Sequence, residues 1–290
     1  MLPAVPARVR QPPQARGPDR RPSALRDWLT RYAALIRSAW LVDLQYRAEI
    51  VIWMVLGVAQ PLVTLAIWWV LAGSGELGGY DRADFARYFF ALMLVDQLTL
   101  AWDVWYIDRW IREGEMNVRL TRPFNPIHEA IGDNVAYKLR TGTAIALVWL
   151  LVALFWPAVR VPVDAGRWAL AGTAVVLAAG LRFLTSYVNG LLAFWTTRAT
   201  ALAELHYGVS LFLAGRIAPL ALLPPAVAAV AGVLWFPYMV AFPVEVLTGE
   251  VSGAGLVRGF GGQLFWLSAW ITLYRLVWSR GIRRYCAVGG

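Results

Sequence analysis

Six long apolar stretches dominate the sequence, and they leave room for little other than a membrane-embedded helical fold. They run from about Ile50 to Leu71, Phe85 to Ile107, Thr141 to Trp156, Trp168 to Leu191, Ala201 to Ile217 and Leu256 to Trp278. At about 1.5 Å per helical residue, a run of roughly 22 residues covers about 33 Å, enough to cross a hydrocarbon core. Backbone polar groups at that depth have no water to bond, so each span must satisfy its own, as a helix does. A composition 59% hydrophobic, with mean hydropathy +0.54, excludes an ordinary soluble globule. The expected class is an all-α membrane protein with six transmembrane helices. The first of these is interrupted by Gln60-Pro61.

The chain divides into three parts. Residues 1–23 form a Pro- and Arg-rich tail without the apolar core of a signal peptide, and are expected to be disordered. Residues 24–48 hold an amphipathic helix. Leu25, Trp28, Leu29, Tyr32, Leu35, Ile36 and Trp40 recur at helical spacing, opposite Arg26, Asp27, Thr30, Arg31, Arg37 and Ser38. That pattern suits a helix lying in the headgroup plane. Residues 49–290 form the transmembrane domain, with a polar segment at 108–140. Within it, Ala218–Glu250 carries Pro219, Pro224, Pro225, Pro237 and Pro243, too many for one straight span. A re-entrant helical hairpin before the last span is expected there, its backbone ends buried in protein or facing water. With both termini in the cytosol, 15 basic residues outside the tail fall on the inner side and five on the outer side. The positive-inside bias favours that orientation.

Several chemistries are excluded. The only lysine is Lys138, in VAYKLR, so no P-loop exists to hold a nucleotide. His128 and His206 are far apart and form no HExxH pattern, and the single cysteine, Cys286, forms no internal disulfide. No catalytic residue, metal site or cofactor is therefore assigned to this chain. The net charge of +9 reflects membrane anchoring rather than nucleic-acid binding.

Charges inside spans are the natural functional candidates. Asp96, Thr99 and Asp103 share one face of the second span, Arg182 lies in the fourth, and Arg216 near the outer end of the fifth is placed to snorkel. They read either as a polar substrate path or as interhelical ion pairs. Depth counting from Tyr88 and Trp168 places Asp103 about 22 Å and Arg182 about 21 Å from the outer boundary, with Asp96 at about 12 Å. The expectation is an Asp103–Arg182 pair from which Asp96 is absent, because a buried charge needs a partner.

The longest strongly polar interval between the spans is IREGEMNVRLTRPFNP, Ile111 to Pro126. Pro123 disfavours helix at Arg122, and Asn125-Pro126 reads as a helix start, so a helix–corner–helix is expected. This stretch resembles a signature of type-2 ABC exporter permeases. The segment Phe212–Glu250 and the ending RRYCAVGG resemble the same subgroup, as does the order of amphipathic helix, six spans and a Pro-rich piece before the last span. The resemblance covers roughly residues 24–290. It implies a bacterial inner-membrane, multi-pass permease that works with cytosolic ABC ATPase subunits, which carry the ATP and magnesium. A second permease subunit is implied, either a different chain or a second copy. The amphipathic helix would be a connecting helix. Glu113, Gly114, Glu115, Arg122 and Pro123 would form the coupling surface for the ATPase. The competing readings are a stand-alone secondary transporter or channel using Asp96 or Asp103, a membrane-embedded enzyme, and a structural membrane subunit.

Overall fold

The computed structural model describes residues 24–45, 47–162 and 164–285; the tail of residues 1–23 lies outside it. Twelve α-helices are present among the described residues. They are α1 (Ala24–Gln45), α2 (Arg47–Ala72), α3 (Arg82–Thr99), α4 (Asp103–Arg112), α5 (Glu115–Leu120) and α6 (Ile127–Phe155). α7 (Ala165–Leu191), α8 (Ala199–Leu213), α9 (Pro225–Val233), α10 (Phe236–Met239), α11 (Ala241–Thr248) and α12 (Ala254–Arg284) follow. Four segments are long and apolar enough to cross a membrane: Met54–Ala72, Arg82–Arg112, Ile127–Phe155 and Ala165–Phe194. The expected fifth span reaches only 15 residues as α8, and the sixth, α12, is long at 31 residues but less apolar.

The helix starts are set by caps. Asp81 accepts from the Asp84 amide at 2.8 Å while the Asp84 carboxylate takes the Asp81 amide, so α3 begins a turn before its apolar run. Asp164 accepts from the Arg167 amide at 2.8 Å and starts α7 in the same way. At the far end of α6, Arg160 donates through Nε to the carbonyl of Ala153 at 2.7 Å and through Nη2 to that of Leu154 at 3.1 Å. It thereby satisfies carbonyls that the helix itself leaves open.

The second apolar stretch is not one helix. It breaks at Leu100–Trp102, where Leu100 is extended (φ −52°, ψ 139°), and resumes as α4. The Val104 amide at the start of α4 is taken by Ser186 Oγ of α7 at 3.2 Å. α3 forms the centre of the core: Phe85, Ala86, Tyr88, Phe89, Ala91 and Val95 are inaccessible to solvent, against α2, α6, α7 and α11. α12 packs along α7, and the fully buried Gln263 donates to the carbonyls of Ala174 (2.9 Å) and Tyr238 (3.0 Å), tying α12, α7 and α10 together. α1 packs on α6: Tyr32 Oη lies 2.6 Å from His128 Nδ1, and a Cβ at Gly132 would come within 2.9 Å of Leu35 Cβ. Arg31 and Arg37 are exposed, while the side chain of Trp28 lies outside the described part.

The Pro-rich region folds as three short helices rather than two. α9 is largely exposed, whereas α11 is buried almost throughout, from Ala241 to Thr248, because prolines shorten each helix and the apolar side chains pack into the bundle. Before them, Ala214–Ile217 is irregular, and its three consecutive carbonyls from Gly215 to Ile217 find side-chain donors on earlier helices. Tyr88 Oη donates to Gly215 O at 2.7 Å, Gln60 Nε2 to Arg216 O at 3.3 Å and Trp68 Nε1 to Ile217 O at 2.7 Å. Non-helical backbone inside a bundle persists only where such partners exist. Gly215 has φ +77°, and a Cβ there would meet Tyr88 Oη at 2.7 Å and Ala241 Cβ at 2.9 Å. Gly215→Val is expected to lower the melting temperature of the detergent-solubilised protein well beyond the roughly 1–2 kcal/mol of left-handed backbone strain. Gly73→Ala, also at positive φ but in open space, should cost only that backbone share. Equal losses in the two variants would show that the Gly215 packing is not limiting.

Candidate functional site

One carboxylate organises the interior of the bundle. Asp96, on the last turn of α3, accepts from Arg182 Nη1 of α7 on Oδ1 at 2.7 Å and from Arg216 Nη2 on Oδ2 at 2.7 Å. Arg182 Nη1 also lies 2.9 Å from Thr99 Oγ1 and 3.3 Å from the Asp96 carbonyl. A guanidinium at the C-terminal end of α3 suits the negative end of the helix dipole there, and it shares the Asp96 carbonyl with the Leu100 amide. Asp96, Thr99 and Arg182 are therefore brought together.

Asp103 is not brought to Arg182, and the expected Asp103–Arg182 pair does not form. The depth count failed for two reasons. The caps move the helix starts to Arg82 and Ala165, which places Asp96 about 21 Å and Arg182 about 26 Å along their helices, within reach of an arginine side chain. The break at Leu100–Trp102 then puts Asp103 on a separate helix. Asp103 instead accepts from Tyr106 Oη and, at 3.5 Å, from Asn134 Nδ2, whose own amide oxygen accepts from Lys138. Arg216 was expected to snorkel; it is buried on Asp96 instead, because α8 ends at Leu213 and the turn at Gly215 directs the chain back into the bundle. Nothing in the local sequence except that glycine marks it.

The Asp96 triad lies on the wall of a cavity of about 460 Å³. Leu56, Trp102, Trp105, Tyr207 and Met239 give it a largely apolar lining, and Gln60, Gln97, Ser186 and Asn189 add neutral polar groups. A second cavity, between α1, α4 and α6, is lined by Asp103, Arg119, Arg122, Glu129, Asp133 and Asn134. Trp102, in the break between α3 and α4, borders both.

The polar stretch 111–126 folds as two helix ends and a corner. α4 stops at Arg112, Gly114 turns the chain at φ +79°, and α5 runs from Glu115 to Leu120. Asn125 Oδ1 accepts from the Ile127 amide at 3.0 Å, acting as a cap for α6. Behind the corner lies an ion-pair network. Glu115 pairs with Arg109 (3.3 Å) and Arg119 (3.2 Å), and Glu129 pairs with Arg119 (3.3 Å) and Arg122 (2.8 Å). The Arg119 guanidinium stacks 3.6 Å from the Trp110 ring centroid. Of the five residues expected at a coupling surface, Glu113, Arg122 and Pro123 are exposed. Gly114 is the turn, and Glu115 is a brace within the network. Sequence reasoning missed Val118 and Leu120, which stand 61% and 39% exposed on the same corner.

Residues 58–289 match the family described as ABC-2 family transporter protein. The chain belongs to this family. It is a type-2 ABC permease, an integral multi-pass membrane component of a transporter, and membership implies an ATPase subunit as its partner. The family is generally a non-catalytic membrane component. A comparison with curated proteins found no match. Among the described residues no group of three or more His, Cys, Asp or Glu is placed to hold a metal ion.

Removing Asp96 would leave two buried guanidiniums facing each other. Asp96→Ala is therefore expected to cost about 3–5 kcal/mol, as for one partner lost from a buried pair. Exchanging Asp103 and Arg182 should give no rescue over either single change. Thermal unfolding in detergent tests both, and rescue by the 103/182 exchange would contradict the geometry.

Proposed function

We propose that this permease is the pathway-forming subunit of an ATP-driven exporter in a bacterial inner membrane, with both termini in the cytosol and its corner at residues 111–126 docked on a cytosolic ATPase. The observation that carries this reading is the construction of that corner. Val118 and Leu120 stand exposed beside Glu113, Arg122 and Pro123, and the ion pairs of Glu115 and Glu129 brace the corner from behind. Exposed apolar side chains ringed by charge on a rigid corner suit a docking surface that must transmit force. A flexible loop would absorb a push from the ATPase. This corner is continuous with α4 on one side and α6 on the other, so displacement there moves both helices.

In this reading α1 is a connecting helix at the inner membrane surface, held to α6 by Tyr32 and His128. α9 to α11 form the excursion before the last span, and α8 and α12 complete six crossings. A second permease completes the pathway, either a different chain or a second copy; the exposed apolar side chains of α2, among them Val63, Ile67 and Val70, suit such a neighbour or lipid. ATP and magnesium belong to the ATPase.

Leu120→Asp and the double change Glu113→Ala/Arg122→Ala are expected to reduce ATPase co-purification or uncouple hydrolysis from transport, at least about tenfold for a docking hot spot. The variants should melt close to the parent protein, since all three positions are exposed and the Arg122–Glu129 pair they remove is a surface one. Normal coupling in folded variants would rule out this corner. Transport that persists without any ATPase subunit would favour a secondary transporter instead.

A further inference from the structure

The charge balance at Asp96 is incomplete. Two guanidiniums face one carboxylate, so the triad carries one formal positive charge inside the bundle. No other carboxylate pairs with either arginine among the described residues. Glu204 borders the same cavity but is exposed and makes no ion pair with them. His206 adds no positive charge, because its Nε2 accepts from Trp235 Nε1 at 3.2 Å and a doubly protonated ring cannot accept. The Arg216 guanidinium packs on the Tyr207 ring, 4.8 Å from its centroid, which eases but does not neutralise the charge.

The donors are also incompletely used. Arg182 bonds the protein through Nη1 alone, although it sits on the cavity wall. Arg216 Nη1 is buried without a hydrogen-bond partner, on a side chain only 5% exposed. A triad that served only to pack helices would need a second carboxylate, or would spend its N–H groups on protein carbonyls. Here the excess charge and the unused N–H groups of Arg182 coincide at a cavity large enough for a small amphiphile, with Arg216 on its wall and Trp102, Trp105, Leu56 and Met239 beside it.

We infer that this cavity binds the oxyanion head group of an amphipathic cargo, the carboxylate or phosphate lying against Arg182 and Arg216 and the apolar body against the tryptophans and Met239. The inference rests on the permease reading above, since it takes the cavity to lie on the pathway. Guanidiniums recognise planar or tetrahedral oxyanions through paired N–H donors, and Asp96 both orients them and competes with the ligand. That competition sets a sign: weakening Asp96 should favour the ligand, whereas a purely structural pair would make every change at Asp96 harmful.

The test uses the full-length permease in an uncharged detergent, without ATPase. Three fluorescent probes are titrated: dansyl-undecanoate, its uncharged methyl ester, and a dansyl-acyl phosphatidic acid. At least one anionic probe is expected to bind about tenfold or more tightly than the ester. Comparison of the two anionic probes distinguishes a carboxylate head from a phosphate head. Arg182→Gln or Arg216→Gln should abolish the preference, and Asp96→Asn should tighten anion binding several-fold. Asp96→Asn/Arg216→Gln, which restores one net positive charge, should recover binding lost in Arg216→Gln. If Asp96→Asn does not elute as a folded protein, the last comparison carries the same sign. Equal binding of anionic probes and ester overturns the inference, as does weaker anion binding by folded Asp96→Asn or no recovery in the double variant. Such a failure leaves the docking corner untouched, and loss of ATPase docking would in turn leave probe binding unchanged.

Discussion

A single buried carboxylate holds three parts of the bundle in register. Asp96 takes a guanidinium from α7 on one oxygen and a guanidinium from the irregular segment after α8 on the other. Desolvating three charges is expensive, and the pairing repays it only with good geometry. That requirement explains the local architecture. α3 ends at Thr99, so that its last turn presents the Asp96 carboxylate and the Thr99 hydroxyl to Arg182. Gly215 turns the chain sharply, so that Arg216 reaches inward instead of toward the headgroups. The helix break that follows Thr99 then forms part of the cavity wall, where non-helical backbone is tolerable.

The two cavities meet at Trp102, which sits in that break. The second one is lined by Arg119, Arg122 and Glu129, members of the ion-pair network behind the polar corner. The corner and the intramembrane triad are therefore linked through one short helix, α4, and one non-helical turn. A rigid helix end joined to a backbone break is a natural place for a small displacement to become a change in cavity shape.

Much of this was legible in the sequence, and the errors have physical causes. Apolar length identified a helical membrane protein, and Asn125-Pro126 correctly marked the start of α6. The intramembrane residues Asp96, Thr99 and Arg182 were singled out, but the pairing was assigned to Asp103. Hydropathy alone located the span starts, whereas Asp81 and Asp164 begin the helices earlier through side-chain caps. The pattern Asp81-x-x-Asp84 was available and would have shifted the depth count in the right direction. The break after Thr99 carries no proline or glycine, so no local residue signals it; tertiary bonds from Arg182 and Ser186 support it instead. Arg216 was legible only as an arginine near a span end, since its burial depends on contacts distant in sequence.

The donors to the three carbonyls at Gly215, Arg216 and Ile217 have a consequence for how the protein is made. Tyr88, Gln60 and Trp68 lie 127, 156 and 149 residues earlier in the chain than the groups they satisfy. They leave the ribosome first, so the irregular segment enters a membrane already holding its partners. Helices α2 and α3 thus act as a template, and the late third of the molecule docks on a surface assembled from the first. A chain truncated after α7 would retain that template, with Asp96 already neutralised by Arg182. A chain lacking α2 would leave the carbonyls of Arg216 and Ile217 without their donors, while Tyr88 of α3 would still serve Gly215, so the defect would surface far downstream of the deletion.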